Sequence, residues 1–344
     1  MQHPKNPLAG WTVDRRALRN VGHDLQRPEC ILAERDGTLW AADARGGVMR
    51  IDPDGLQRLI ASSPDRHFDL DTAPEDSLLR GTLPNGLAFA ANGDLLIANF
   101  GTDVLEVMSR DGKTRVLHRT IDGAPMGKVN FVLRDSKHRL WITVSTRVNP
   151  WSDAVSKDLA DGYIALLDEG RLRIVADQLA FANELRLDAE EAWLYVAETT
   201  GKRVSRFRVR DDGSLAGREI YGPSTLGAGL IDGIAFDAFG NLWCTMIFAD
   251  RLLAITPEGE LLGLLEDGND AATARFEAEF ATGAPVRFET LAACGGTIAP
   301  WLASVTFGGA DLRTVYLGSL RGNTIPSFIS PVAGLPMVHW SSRG

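Results

Sequence analysis

Apolar and polar residues alternate along most of the chain in short runs broken by Gly, Asn or Asp. That is the pattern of half-buried strands joined by tight turns. From Glu29, ECILAERDGTLWAAD reads as a strand, a turn at Asp36-Gly37 and a second strand carrying Trp40. The unit recurs as NGLAFAANGDLLIANF from Asn85, NFVLRDSKHRLWITV from Asn130, NELRLDAEEAWLYVAE from Asn183 and DGIAFDAFGNLWCTM from Asp232. A more degenerate sixth copy, SVTFGGADLRTVYLGS, starts at Ser304.

Spacing inside the copies is regular. Eleven residues separate the leading polar residue from the second-strand anchor in the pairs Glu29/Trp40, Asn85/Leu96, Asn130/Trp141 and Asp232/Trp243, and twelve in Asn183/Tyr195 and Ser304/Tyr316. Successive anchors lie 56, 45, 54, 48 and 73 residues apart, the length of a four-stranded blade with variable loops. Further hairpins follow most anchors, with turns at Asp54-Gly55, Asp111-Gly112 and Glu258-Gly259. The pattern predicts an all-β, six-bladed β-propeller around a central channel, one domain over residues 1–344 with its repeats at about 27–320. A parallel α/β fold would need helices between the strands, and Asp270 to Ala281 is the one good candidate. A two-sheet sandwich would not need the repeated internal offset.

Residues at one repeat offset gather around a propeller's axis. Here that offset carries Glu29, Asn85, Asn130, Asn183 and Asp232, all oxygen-bearing. Such a set, without His or Cys, matches a hard cation such as Ca²⁺ better than zinc, with Mg²⁺ and Mn²⁺ also compatible. The plain alternative is that Asn and Asp at strand starts cap turns, which explains Glu29 least well.

Composition narrows the partners. With 36 Lys+Arg against 45 Asp+Glu, net charge −9, the chain has no basic stripe for nucleic acid, and its apolar runs are too short to span a membrane. Cys30, Cys244 and Cys294 have no zinc-ligand spacing and read as reduced thiols of a cytoplasmic protein. There is no G-x-S-x-G nucleophile elbow. Asp111-Gly112-Lys113-Thr114 ends like a phosphate loop but reads as a hairpin turn, and Asp69/Asp71 as a solvated loop.

Several stretches together, Pro28-Glu29, PNGLAF from Pro84, the Asn130 repeat with its RLW, the Asn183 repeat, DGIAFDAFGNLW and FGGADLRTVYLGS from Phe307, resemble the SMP-30/gluconolactonase/luciferin-regenerating-enzyme family. The resemblance implies a propeller that hydrolyses lactones with one divalent metal held by Glu29, Asn183 and Asp232. It places Asn130 beside the substrate. The chain departs from the family pattern at Asn183-Glu184, where Asn-Gly is usual, at Asn130-Phe131, where Asn-Asp is usual, and at Lys128, where sugar lactonases carry Arg.

The expected function is metal-dependent opening of a small lactone or ester. Asp232 is expected as ligand and base, and Asn130, Asn85 and Lys128 as groups that orient substrate or stabilise the oxyanion. The insertion at residues 145–162, with Arg147 and Trp151, is expected to wall the site. Lys128 lies two residues before Asn130 and, on an extended strand, would share its face, which predicts a preference for oxygen-rich or anionic lactones. Phosphoester or phosphofluoridate hydrolysis on the same metal, and a calcium-stabilised binding propeller without catalysis, are the alternatives.

Overall fold

A computed structural model describes residues 5–61 and 82–341; Asp69 and Asp71 lie outside the described residues. Six four-stranded antiparallel sheets form six blades. The hairpin turns anticipated at Asp54-Gly55, Asp111-Gly112 and Glu258-Gly259 join Gly47–Ile51 to Gln57–Ala61, Val104–Met108 to Thr114–His118, and Arg251–Ile255 to Leu261–Glu266. The helix anticipated from Asp270 is present as Asp270–Phe280, with Asn269 capping it by accepting from the Ala272 N–H.

The innermost strands are Ile31–Ala33, Pro84–Phe89, Val129–Arg134, Ala182–Leu187, Leu230–Phe236 and Leu302–Gly308. All are buried except Leu187 at the end of the fourth blade's strand, whereas outer strands such as Gln57–Ala61 alternate toward water. The last blade is completed from the other end of the chain, where Arg19–Val21 pairs with Ile325–Ile329 in the register Arg19↔Ser327. This closes the ring and covers an edge that would otherwise be free.

The anchors pack between blades. Trp40, Trp141 and Trp243 are wholly buried, and each indole N–H donates to a carboxylate six residues earlier: Glu34 at 2.7 Å, Asp135 at 2.9 Å and Asp237 at 3.0 Å. The acid therefore satisfies the one polar atom that burying the ring would strand. This couples the first hairpin's turn to its second strand and accounts for the D/E-x5-W spacing.

The channel's two ends differ. At the finishing end of the inner strands the C-terminal segment crosses the opening, with the Leu335 N–H donating to the Phe236 carbonyl (2.9 Å) and Trp340 buried. It partly encloses a cavity of about 360 Å³. At the starting end lies a smaller cavity of about 60 Å³ that contains the aligned polar residues.

Candidate functional site

Each aligned residue from the second to the fifth blade sits where the inner strand slips register against its neighbour. The shifts fall between Pro84 and Leu87, Val129 and Phe131, Ala182 and Leu185, and Ile231 and Ile234, and so contain Asn85, Asn130, Asn183 and Asp232. Such bulges re-aim side chains out of the ordinary two-residue alternation. Glu29 precedes its strand and is held by the sixth blade, since the Glu29 carbonyl accepts from the Ser304 hydroxyl. A Cβ on Gly318 would stand 1.8 Å from that carbonyl oxygen, so only glycine permits the approach.

The five residues are buried, between 1% and 5% exposed, and all line the 60 Å³ cavity. That volume has room for a few waters at roughly 10–15 Å³ each. Asn85 is fully engaged: its amide donates to Glu29 Oε1 and to the Asn130 carbonyl, both at 3.1 Å, and its Oδ1 accepts from Arg27 at 2.6 Å. It therefore positions Glu29, with both amide hydrogens engaged and one lone pair of its oxygen taken by Arg27. Asn183 donates to Thr199 Oγ1 at 3.2 Å. Among the described residues, the ring oxygens Glu29 Oε2, Asn130 Oδ1 and Asn183 Oδ1 have no hydrogen-bond partner.

Electrostatics point the same way. Burial pushes the Glu29 carboxyl well above its ordinary range; Asp232 and Glu184 add to the rise, and Arg27 and the Asn85 amide oppose it. Asp232 is likewise pushed well up by burial and by Glu184, against Arg27. Two carboxyls that resist ionisation, beside oxygens lacking donors, form a site short of positive charge. Among the described residues no three His, Cys, Asp or Glu side chains cluster as a metal site; here two carboxylates are completed by amide oxygens. The donor set fits a hard divalent cation.

Sequence reasoning missed two members. Arg27 is buried, donates to the Pro84 carbonyl (3.0 Å) and to Asn85, and takes φ 54°, unusual for a non-glycine residue. Nothing in the hydrophobic alternation marks it. Glu184 is wholly buried, pairs with Arg186 at 2.7 Å and accepts from the Ile234 N–H at 3.2 Å; burial lifts it to about 7 against the pull of Arg186.

Arg186 also lies over the Phe131 ring at 4.6 Å. Phe131 fills the space beside Gly86, where an added Cβ would stand 2.5 Å from the Phe131 Cα. Two of the three departures from the family pattern, Phe131 and Glu184, are thus parts of one packed unit joined through Arg186. Cys30 is similarly occupied, its sulfur accepting from the Leu87 N–H at 3.3 Å.

The remaining expected residues divide. Trp151 lines the cavity, at 6.1 Å edge-on to Phe100. Arg147 and Lys128 are not among its lining residues. The Arg147 guanidinium stacks on Tyr163 at 4.4 Å. Lys128 was expected to have only substrate or water as a partner, but its ammonium pairs with Asp103 at 2.9 Å and faces the Phe100 ring at 5.9 Å. The bulge at Asn130 removes the shared strand face on which that expectation rested.

Comparison with known proteins places this geometry. A 6-deoxy-6-sulfogluconolactonase from Pseudomonas putida is 26% identical over 185 residues, 52% of this chain and 53% of that protein. The chain spans about half the length of the curated relatives it matches. A gluconolactonase from Xanthomonas campestris superposes with TM-score 0.63 at 18% identity, covering 91% of this chain and 88% of that one. Regucalcin from Agrobacterium tumefaciens, a calcium-binding protein, gives TM-score 0.65 at 15% identity, covering 92% and 94%. These structural likenesses establish the shared propeller. The model of the SMP-30/gluconolactonase/LRE-like region matches residues 28–274, more than half of the chain, and the protein belongs to that family.

Proposed function

We propose that this channel holds one divalent cation, calcium by preference, and hydrolyses a small carboxylic ester, in the first instance a lactone. The observation that carries the reading is the set of unpartnered buried oxygens on Glu29, Asn130 and Asn183 in one cavity with Asp232. Glu29, Asn183 and Asp232 would hold the cation, with Asn130 alongside. A divalent cation bound there supplies polarisation of a carbonyl oxygen and a lower pKa for water.

The protein's own groups do the rest. Asp232, in the ring and with a second carboxylate oxygen, would take the proton of the attacking water. Asn130 orients the substrate carbonyl. Asn85 and Arg27 keep Glu29 in place, and Arg27 contributes a fixed positive charge near both carboxyls. The apolar wall around the ring limits water, which strengthens these interactions.

Metal analysis tests the assignment. Wild type should carry about one divalent ion per chain, and Glu29→Ala and Asp232→Ala should lose both ion and turnover. Full occupancy in both variants would remove the site from consideration.

A further inference from the structure

We infer that the site selects a small lactone or ester with a short alkyl substituent, and rejects polyhydroxylated or anionic ones. The inference rests on the ester-hydrolase reading above and names its substrate class. Outside the polar ring and Arg27, every residue lining the cavity is apolar except Thr199 and Thr200. Five of the apolar residues are aromatic: Phe100, Trp151, Phe181, Phe248 and Trp301. They interlock edge to face, with Phe100 to Trp151 at 6.1 Å and Phe248 to Trp301 at 5.1 Å.

The capacity to recognise hydroxyls is small. The wall offers two hydroxyls: Thr199, which accepts from Asn183 and keeps its own O–H to donate, and the buried Thr200, without a partner among the described residues. A sugar lactone would bring several hydroxyls against rings. Each one buried without a partner costs about one to two decades of affinity.

Anionic substituents meet no cation in the apolar wall, since Lys128 and Arg147 lie outside the cavity lining and Arg27 stands among the ring's carboxyls. Lys128 is tied to Asp103, Arg147 lies on Tyr163, and Arg27 donates to Pro84 and Asn85. Short alkyl groups instead meet ring faces and edges.

Two insertions build this wall. Trp151 comes from the segment at residues 145–162, and Trp301 ends the long connection at residues 267–301. The two are fastened together where the Val286 N–H donates to the Val155 carbonyl at 3.2 Å and the Ser156 hydroxyl to the Gly283 carbonyl at 2.6 Å. The insertions thus supply the two tryptophans, whereas Phe100, Phe181 and Phe248 stand at the ends of the repeat's own strands, so the tryptophans can vary without disturbing the polar ring.

Calorimetry with non-hydrolysable lactams separates this inference from the hydrolase reading. Calcium-loaded protein is titrated with unsubstituted δ-lactam, a methyl- or ethyl-substituted δ-lactam and a polyhydroxylated δ-lactam, and kcat/KM is measured on the matching lactones. The substituted apolar lactam should bind at least about tenfold tighter than the polyhydroxylated one. Trp151→Ala should weaken the substituted lactam about tenfold while leaving the unsubstituted one within about twofold, and Trp151→Phe should restore most of the loss. Equal or tighter binding of the polyhydroxylated lactam, no binding by any of the three, or a uniform loss in Trp151→Ala would overturn the inference. Selective binding of the apolar lactam without turnover of any lactone would uphold it and refute the hydrolase reading instead.

Discussion

Withdrawing the cation should make the protein's stability fall with pH in a way that the loaded protein's does not. Glu29 and Asp232 both have carboxyls raised by burial. An acid whose pKa is higher in the folded protein than in the unfolded chain, where carboxyls titrate near 4, holds its proton more tightly when folded. Its contribution is most favourable below the unfolded value and is lost as pH climbs through the folded one. Chelated protein should therefore lose stability from about pH 4 upward. A bound cation keeps both groups ionised and abolishes their part of that slope. Glu184, lifted to about 7, titrates in the same window and is coupled to both ligands, so the melts are repeated in Glu184→Gln to isolate the ligands.

The size follows from mass action. Cation at a hundred times its Kd adds about 2.7 kcal/mol. For 344 residues the unfolding entropy is about 0.7 kcal/mol per degree, so the melting temperature rises by about 4 °C. Each proton the cation must displace makes its affinity pH-dependent by about 1.4 kcal/mol per unit, or about 2 °C per pH unit. Thermal melts in calcium and in chelator at pH 5.5 and pH 8 read this directly. A calcium shift of the same size at both pH values, or none at saturating calcium, would refute the reasoning, as would an undiminished shift in Glu29→Gln.

Gly318→Ala should displace Glu29, because the added Cβ meets the Glu29 carbonyl; metal analysis and a calcium-dependent melt should both show the loss. Lys128→Met breaks the pair with Asp103 and should cost stability by about 1 kcal/mol or less, given Asp103's exposure, while leaving the ratio of kcat/KM between hydroxylated and alkyl lactones unchanged. Trp141→Ala, which empties an inter-blade space and removes one of Asp135's donors while Arg139 keeps it paired, should lower stability by about 3–5 kcal/mol in a denaturant melt without altering metal stoichiometry once folded.

The fold was legible because a propeller writes itself into sequence by repetition. The eleven-residue offset from ring residue to anchor survives in four copies, and it reflects a real constraint: one inner strand, one tight turn and a tryptophan whose N–H must reach the turn's acid. The ring was legible for the same reason, since equal offsets meet at one axis.

What could not be read depends on geometry that period-two reasoning does not carry. The bulge at Asn130 breaks the face that Lys128 would have shared. Asn85 spends its amide on Glu29, a contact between residues far apart in the chain. Arg27 enters the site through a left-handed backbone conformation. Glu184 pairs with Arg186 two residues on in the same strand, but the Phe131 ring beneath that guanidinium comes from the neighbouring blade and meets it only when the blades pack. The closing strand Arg19–Val21 has too little alternation to announce itself.

The most direct test of the central claim is hydrolysis of a panel of lactones by the purified protein, followed as acid release in a pH-stat, with calcium, after chelation and after calcium is restored. Turnover that disappears with the chelator, returns with calcium and is absent in Asp232→Ala at every step is the predicted result. Turnover that persists in chelator, or an Asp232→Ala protein as active as wild type, would contradict a cation-dependent ester hydrolase built on this ring.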